Sequence, residues 1–200
     1  MKDLLADENF QQSENFKEYQ TSVDKIEEHV ERARKITHNM LGFARRMEPH
    51  LDDVDINQTI NQVIDFLETH ARTNNIEIQT DLQEHIPVIA SDQSQLQQVF
   101  LNLIINAADA VSAKDAGTGG KLEITTALET DADPDIKNPA ARLIIRFIDD
   151  GPGITEENLG NIFDPFFTTK EPGRGTGLGL SVSFMIVESL GGTMTVASEA

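Results

Sequence analysis

Apolar residues recur at two different periods along this 200-residue chain, and the switches between them mark out its elements. From Ser22 to Met47, Val23, Ile26, Val30, Ala33, Thr37, Met40, Ala44 and Met47 alternate three and four apart. Ile36, Leu41 and Phe43 widen the stripe, and charged residues such as Lys25, Glu28, Arg32 and Lys35 fill the rest. That is a heptad seam on one long amphipathic helix. A stripe so wide must be buried, and no helix of matching length precedes it. Its bundle partners are therefore expected from another chain or from sequence beyond this one. Residues 1–15 are polar and are expected to fray. Glu48-Pro49-His50 ends the helix, and Leu51 to Asp55 reads as a short linker.

Asp55 is a candidate N-cap, followed by Ile56, Ile60, Val63, Ile64 and Leu67 on one helix face, to about Thr73. Ile76 to Thr80 alternates and reads as a strand; Pro87 to Ala90 is a short extended piece. Ser91 is expected to cap the next helix, which buries Leu96, Val99, Phe100, Leu103, Ile104 and Ala107. Lys114 to Gly120 reads as a loop and Leu122 to Ala127 as a strand. Glu129 to Ala140 is a polar insert with Pro134 and Pro139. Arg142 to Ile148 reads as a buried strand ending at Asp149. Leu178 to Leu190 is an apolar helical run, and Thr193 to Ser198 is expected to form a last strand.

The candidate chemistry lies between Asp149 and Ser181. Asp149-Asp150-Gly151-Pro152-Gly153 follows a strand, where Gly151 and Gly153 let the backbone turn and let a flat ligand approach. Gly175, Gly177 and Gly179 stand just before the apolar helix. A glycine-rich start to a helix presents unpaired N–H groups and the positive end of its dipole, which suits a phosphate chain. Lys170 and Arg174 add positive charge. One end thus offers a carboxylate to a donor such as an adenine amino group, and the other offers amides to phosphates. Neither G-x-x-x-x-G-K-[ST] nor G-x-G-x-x-G is present: Gly119-Gly120-Lys121 runs into Leu122, and the second cluster is spaced G-x-G-x-G. Upstream, Asn102 and Asn106 lie one helical turn apart, with Asp109 three residues on. Two amides on a mostly apolar helix either bond to backbone or ligate Mg²⁺ and phosphate through oxygen.

Composition changes this picture in a few ways. The net charge of −18 argues against a nucleic-acid surface. An acidic chain that binds ATP needs a cation to shield the phosphates, so Mg²⁺ is expected. The absence of cysteine removes disulfides and thiolate metal sites and fits the cytoplasm. No apolar run reaches membrane-spanning length, and the polar N-terminus does not read as a signal peptide.

Asn102-Leu103-Ile104-Ile105-Asn106-Ala107-Ala108-Asp109-Ala110, then DDGPG, FDPFFTTK and GTGLGLS, in that order and spacing, resemble the ATP-binding module of sensor histidine kinases. They correspond to its N box, first glycine box, F box and second glycine box, and the resemblance covers roughly Asp55 to Ser198. It implies an α+β fold, the Bergerat two-layer sandwich, in which helices cover one face of a mixed sheet. Here a long amphipathic helix would precede it, with residues 1–50 as a partial dimerisation and phosphotransfer segment and 51–200 as the ATP-binding domain.

By resemblance, Asp149 accepts a hydrogen bond from the adenine amino group, Asn106 ligates Mg²⁺, and Asn102 sits beside the phosphates. Asp109, Gly151, Gly153, Ile154, Phe166, Leu178 and Leu180 join the same nucleotide site. Thr168 to Thr176 form a mobile lid, with Thr169 in it and Lys170, Arg174 and Thr176 near the phosphates. Gly175, Gly177 and Gly179 supply amides. The implied chemistry is in-line transfer of the γ-phosphoryl group of ATP to a histidine nitrogen, for relay to a response regulator. Related ATPases of the gyrase, heat-shock-chaperone and mismatch-repair types carry a glutamate where this chain has Asn102. An amide cannot act as general base on water, which favours a kinase.

Residues 22–47 resemble the second helix of the family's dimerisation hairpin, so a homodimer of the parent protein is implied. The acceptor histidine belongs on the first helix and is absent. His38 is followed by Asn39-Met40-Leu41, with no acidic neighbour and no proline, and reads as a bundle or surface histidine. The family's terminal strand, after Ala200, is missing too. The chain is therefore expected to be truncated at both ends, not to autophosphorylate alone, and to meet a membrane only through missing parts. Two other readings stay open: an ATP-gated dimerisation clamp, and a nucleotide-binding dimerisation module without kinase activity.

Overall fold

The structure, a computed structural model, describes residues 16, 19–27, 30, 50–73, 76–112, 120–130, 141–171 and 175–199. The chain divides into two compact units, one drawn from residues 1–47 and 170–176, the other from 48–169 and 177–200. In the first, residues 19–27 are helical, as the heptad pattern requires. Val23 is buried, while Ile26 and Val30 of the same seam are exposed. The rest of the seam, with His38, lies outside the described residues. So do residues 113–119, the insert at 131–140, and Arg174.

The second unit holds a two-stranded sheet and a three-stranded mixed sheet. Strand β1 (Asp52–Val54) pairs antiparallel with β3 (Ile89–Ser91). Strand β2 (Ile76–Leu82) runs parallel to β4 (Gly120–Thr130), which is antiparallel to β5 (Ala141–Asp149). Helix α1 (Ile56–Thr73) precedes β2, and α2 (Gln93–Ser112) lies between β3 and β4. The short α3 (Glu156–Leu159) and α4 (Gly179–Ser189) follow β5.

The core explains this order. Ile56, Ile60, Val63 and Leu67 of α1 are buried, with Leu96, Val99, Phe100, Ile104 and Ala107 of α2. They meet Leu122 and Ile124 of β4, which are wholly buried, while Lys121 and Glu123 on either side of Leu122 are half-buried. That alternation is a sheet with one face under helices. Phe100 reaches β5, with its ring 5.7 Å from that of Phe147. Asp55 caps α1 as expected: its Oδ1 accepts from the Gln58 amide at 2.9 Å. Gly120 packs its backbone on Val111, where a Cβ would overlap the valine side chain. Packing thus explains that glycine without a phosphate.

Four expectations are corrected. The segment Leu51–Asp55 is no plain linker, since it holds β1; three residues, two of them aspartates, are too short to show a period of two. Ser91 does not cap α2, because it ends β3; the cap is Asp92. Strand β5 is at most half-buried, and Ile148 is exposed, because among the described residues it has a ladder partner on one side only. Residues 193–198 form no strand. Alternation alone does not make one: a strand needs a hydrogen-bonded partner.

Candidate functional site

Helix α2 is the spine on which the candidate residues meet. Asn102, Asn106 and Ala110 are spaced four apart and share one face. Gly179, the first residue of α4, lies against the two asparagines. A Cβ there would stand 3.6 Å from Asn106 Nδ2 and 3.9 Å from Asn102 Cγ. Gly151 lies against the next turn, where a Cβ would come within 3.1 Å of the Ala110 Cβ. Both glycine clusters therefore dock on the same helix face, within the roughly 12 Å of axis from residue 102 to 110.

At the Gly151 end, the structure places Asp149 as the exposed last residue of β5. Its Oδ1 accepts from the Gly151 amide at 2.9 Å, which orients the carboxylate. A Cβ on Gly151 would lie 2.5 Å from that same oxygen, so a larger residue there would displace the Asp149 carboxylate. Asp150 points elsewhere: its Oδ1 accepts from the Lys121 amide at 2.9 Å, and its own amide donates to the Lys121 carbonyl at 3.1 Å. Of the paired aspartates, one is tied to the sheet and the other is presented at the turn. Gly153 has φ 79°, and the half-buried Ile154 donates its amide to Ser198 Oγ at 2.8 Å. Asp109 is exposed on α2.

At the Gly179 end, Gly177 and Phe166 both take positive φ, 65° and 70°. The Phe166 amide donates to the Gly177 carbonyl at 2.9 Å. Leu178 is buried and gives α4 no side-chain cap, and no acidic residue lies in the first turn. The amides of Gly179 and Leu180 thus open an uncapped helix start, the arrangement that attracts anions. Phe166, Thr168 and Thr169 are exposed. Lys170, Gly175 and Thr176, each half-buried, belong to the first unit.

Asn102 is bonded into the protein. Its Nδ2 donates to the Gly179 carbonyl at 3.3 Å and to Ser183 Oγ at 3.2 Å. The backbone-bonded reading of this amide therefore holds for its nitrogen. Sequence reasoning missed Ser183, although a signal was there: a hydroxyl one turn after Gly179 inside an apolar helix. It also missed Asp92, which anchors the start of α2. Asp92 Oδ1 accepts from Ser94 Oγ at 2.7 Å and the Gln95 amide at 3.0 Å. Its Oδ2 accepts from Gln95 Nε2 at 3.1 Å and the His50 amide at 3.2 Å. Burial pushes this carboxyl up, but the bonds from Ser94, Gln95 and His50 together outweigh it and hold it below its ordinary value.

Among the described residues no group of three His, Cys, Asp or Glu side chains could hold a metal ion. The Asn102 and Asn106 side-chain amides turn nitrogen toward the start of α4, so each has one oxygen left on its other side for a cation. That suits Mg²⁺, which takes one or two protein oxygens and completes its shell from substrate phosphates and water.

Residues 91–200 match the family described as histidine kinase-, DNA gyrase B-, and HSP90-like ATPase. Sporulation kinase E of Bacillus subtilis (strain 168) is 33% identical over 91% of this chain, a stretch that spans 22% of that relative's length. The catalytic domain of histidine kinase ThkA, in a nucleotide-free form, is 30% identical with a TM-score of 0.57, over 70% of this chain and 82% of that one. ThkA in complex with response regulator protein TrrA matches at 25% identity and a TM-score of 0.63, over 90% and 46%. Full-length ShkA in complex with AMPPNP matches at 25% identity and 0.64, over 90% and 35%. The expected α+β fold, a mixed sheet under helices, is the fold found.

Proposed function

The chain belongs to the family of histidine kinase-, DNA gyrase B-, and HSP90-like ATPases and holds the ATP-binding catalytic domain of a sensor histidine kinase; from that premise we propose that it transfers the γ-phosphoryl group of ATP to a histidine on a separate helix, for relay to a response-regulator aspartate. The observation that carries this reading is the docking of both glycine clusters on one face of α2. It sets a carboxylate toward one end of that helix face and an uncapped helix start toward the other. Asp149 accepts from the adenine amino group, with the Gly151 amide holding the carboxylate in place. The amides of Gly177, Gly179 and Leu180 take the phosphates. Phe166, Thr168 and Thr169, all exposed, stand at the edge of this site.

Mg²⁺ would be held by Asn106 Oδ1 together with the phosphates, where it neutralises charge on the transferring group. Asn102 cannot take a proton from water, so the site lacks the base that hydrolysis uses, and its work is positioning and charge stabilisation. The residues from 51 on form this domain, and the helix within 1–50 pairs with a second copy in a dimeric parent protein. ThkA was solved with a response regulator, which supports a receiver domain as partner here. No helix among the described residues is long and apolar enough to cross a membrane; the domain works in the cytoplasm.

The test is a calorimetric titration. A hydrogen bond to a charged group contributes about 1.5–3 kcal/mol, so Asp149→Asn lowers ATP affinity by about tenfold or more. Asparagine still accepts from the Gly151 amide, so the turn survives. GTP, which has a carbonyl where adenine has its amino group, binds poorly to the wild type. Equal affinity for the two nucleotides sinks the assignment.

A further inference from the structure

Resting on the reading of this helix face as an ATP site, we infer that Ser183 is a positioning residue: it fixes the Asn102 amide so that its oxygen, and not its N–H groups, faces the phosphates and their cation. Asn102 Nδ2 carries two hydrogens and has two acceptors on α4, the Gly179 carbonyl at 3.3 Å and Ser183 Oγ at 3.2 Å. Gly179 and Ser183 stand one turn apart, so both acceptors lie on one face of that helix. Ser183 is wholly buried, and an unbonded hydroxyl there is costly. With both N–H groups turned to α4, the planar amide leaves Oδ1 on the far side of Cγ. An amide oxygen repels phosphate oxygens and attracts Mg²⁺ or a water bound to it. The flipped amide would do the opposite and donate to bare phosphate. Ser183 thus biases the site toward cation-loaded nucleotide, working through Asn102 without touching the ligand.

Ser183→Ala removes the second acceptor and leaves the amide held by the Gly179 carbonyl alone, so that it turns more freely. Its affinity for Mg-ATP falls by about threefold to tenfold, the loss of one ordinary hydrogen bond. Affinity for ATP in a chelator does not fall. Ser183→Thr, which keeps the hydroxyl, binds Mg-ATP like the wild type. On an Asn102→Ala background, Ser183→Ala has no further effect. A merely structural serine would lower both affinities together. An equal loss with and without Mg²⁺, no loss at all, or an effect that adds to that of Asn102→Ala overturns the inference. A second measurement needs no nucleotide: NMR of the ligand-free protein shows slowly exchanging Asn102 side-chain amide protons, and Ser183→Ala speeds their exchange. Unchanged exchange also overturns it. If the exchange behaves as expected but the wild type binds no ATP, the ATP reading has failed and the inference falls with it.

Discussion

Gly177 and Phe166 hold each other in left-handed backbone, and a single methyl group tests that clasp. A Cβ on Gly177 would run into the backbone of Phe166, whose amide bonds the Gly177 carbonyl. Gly191, past the end of α4, has φ 78° and nothing within 4 Å of an added Cβ. Gly191→Ala therefore costs only the left-handed penalty, about 1–2 kcal/mol. Gly177→Ala adds a backbone collision and costs about 2–5 kcal/mol in all. Urea unfolding of the two variants measures the difference, and equal losses would remove the clasp from the account. At this scale the sequence was uneven. Asp149 and the glycines were legible because turn chemistry is local. Which aspartate of the pair faces out was legible only from its place at the strand end. Ser183 and its bond to Asn102 were not, because the partner is 81 positions away and only packing brings it near.

Helix α2 has its own test at Asp92, where four hydrogen bonds meet on one carboxylate. An N-cap contributes about 0.5–2 kcal/mol, and Asp92 also holds the incoming chain through the His50 amide. Asp92→Ala is expected to lose about 2 kcal/mol at neutral pH. Because the folded carboxyl titrates below its ordinary value of 3.8, its charged-state contribution is complete above that value. It drains away as pH falls through the depressed folded value. The gap between wild type and variant, followed by denaturant unfolding against pH, is thus wide at neutral pH and narrows in acid. A gap that widens in acid contradicts the bonding seen here. Periodicity made α1, α2, α4 and β4 legible, since each is long enough to show its repeat. It failed for β1, which has three residues. It misjudged residues 193–198, because pairing is a property of two segments and alternation of one.

Over the whole molecule, the ordered motifs made the function class legible, while the docking of both glycine clusters on one helix face became visible only in the folded unit. Spacing along the chain orders the motifs but does not say which helix face receives them. Charge acts at this scale too. The chain carries 34 acidic and 16 basic residues, a net charge of −18, and its proposed ligand is itself a polyanion. The long-range field therefore opposes ATP, and whatever attracts it must be local, such as helix amides and a cation. Salt separates the two ranges. Raising monovalent salt from about 0.01 M to about 0.15 M shortens the Debye length from about 30 Å to about 8 Å. That screens the distant carboxylates more than contacts inside the site. In a chelator, ATP affinity is expected to rise with salt, the reverse of what a basic nucleotide-binding surface gives. With Mg²⁺ present, the bound nucleotide carries less charge and the dependence flattens. Titrations at a few salt concentrations measure both slopes. If affinity falls with salt in the chelator, local positive charge outweighs the overall field, and the need for a shielding cation loses its electrostatic ground.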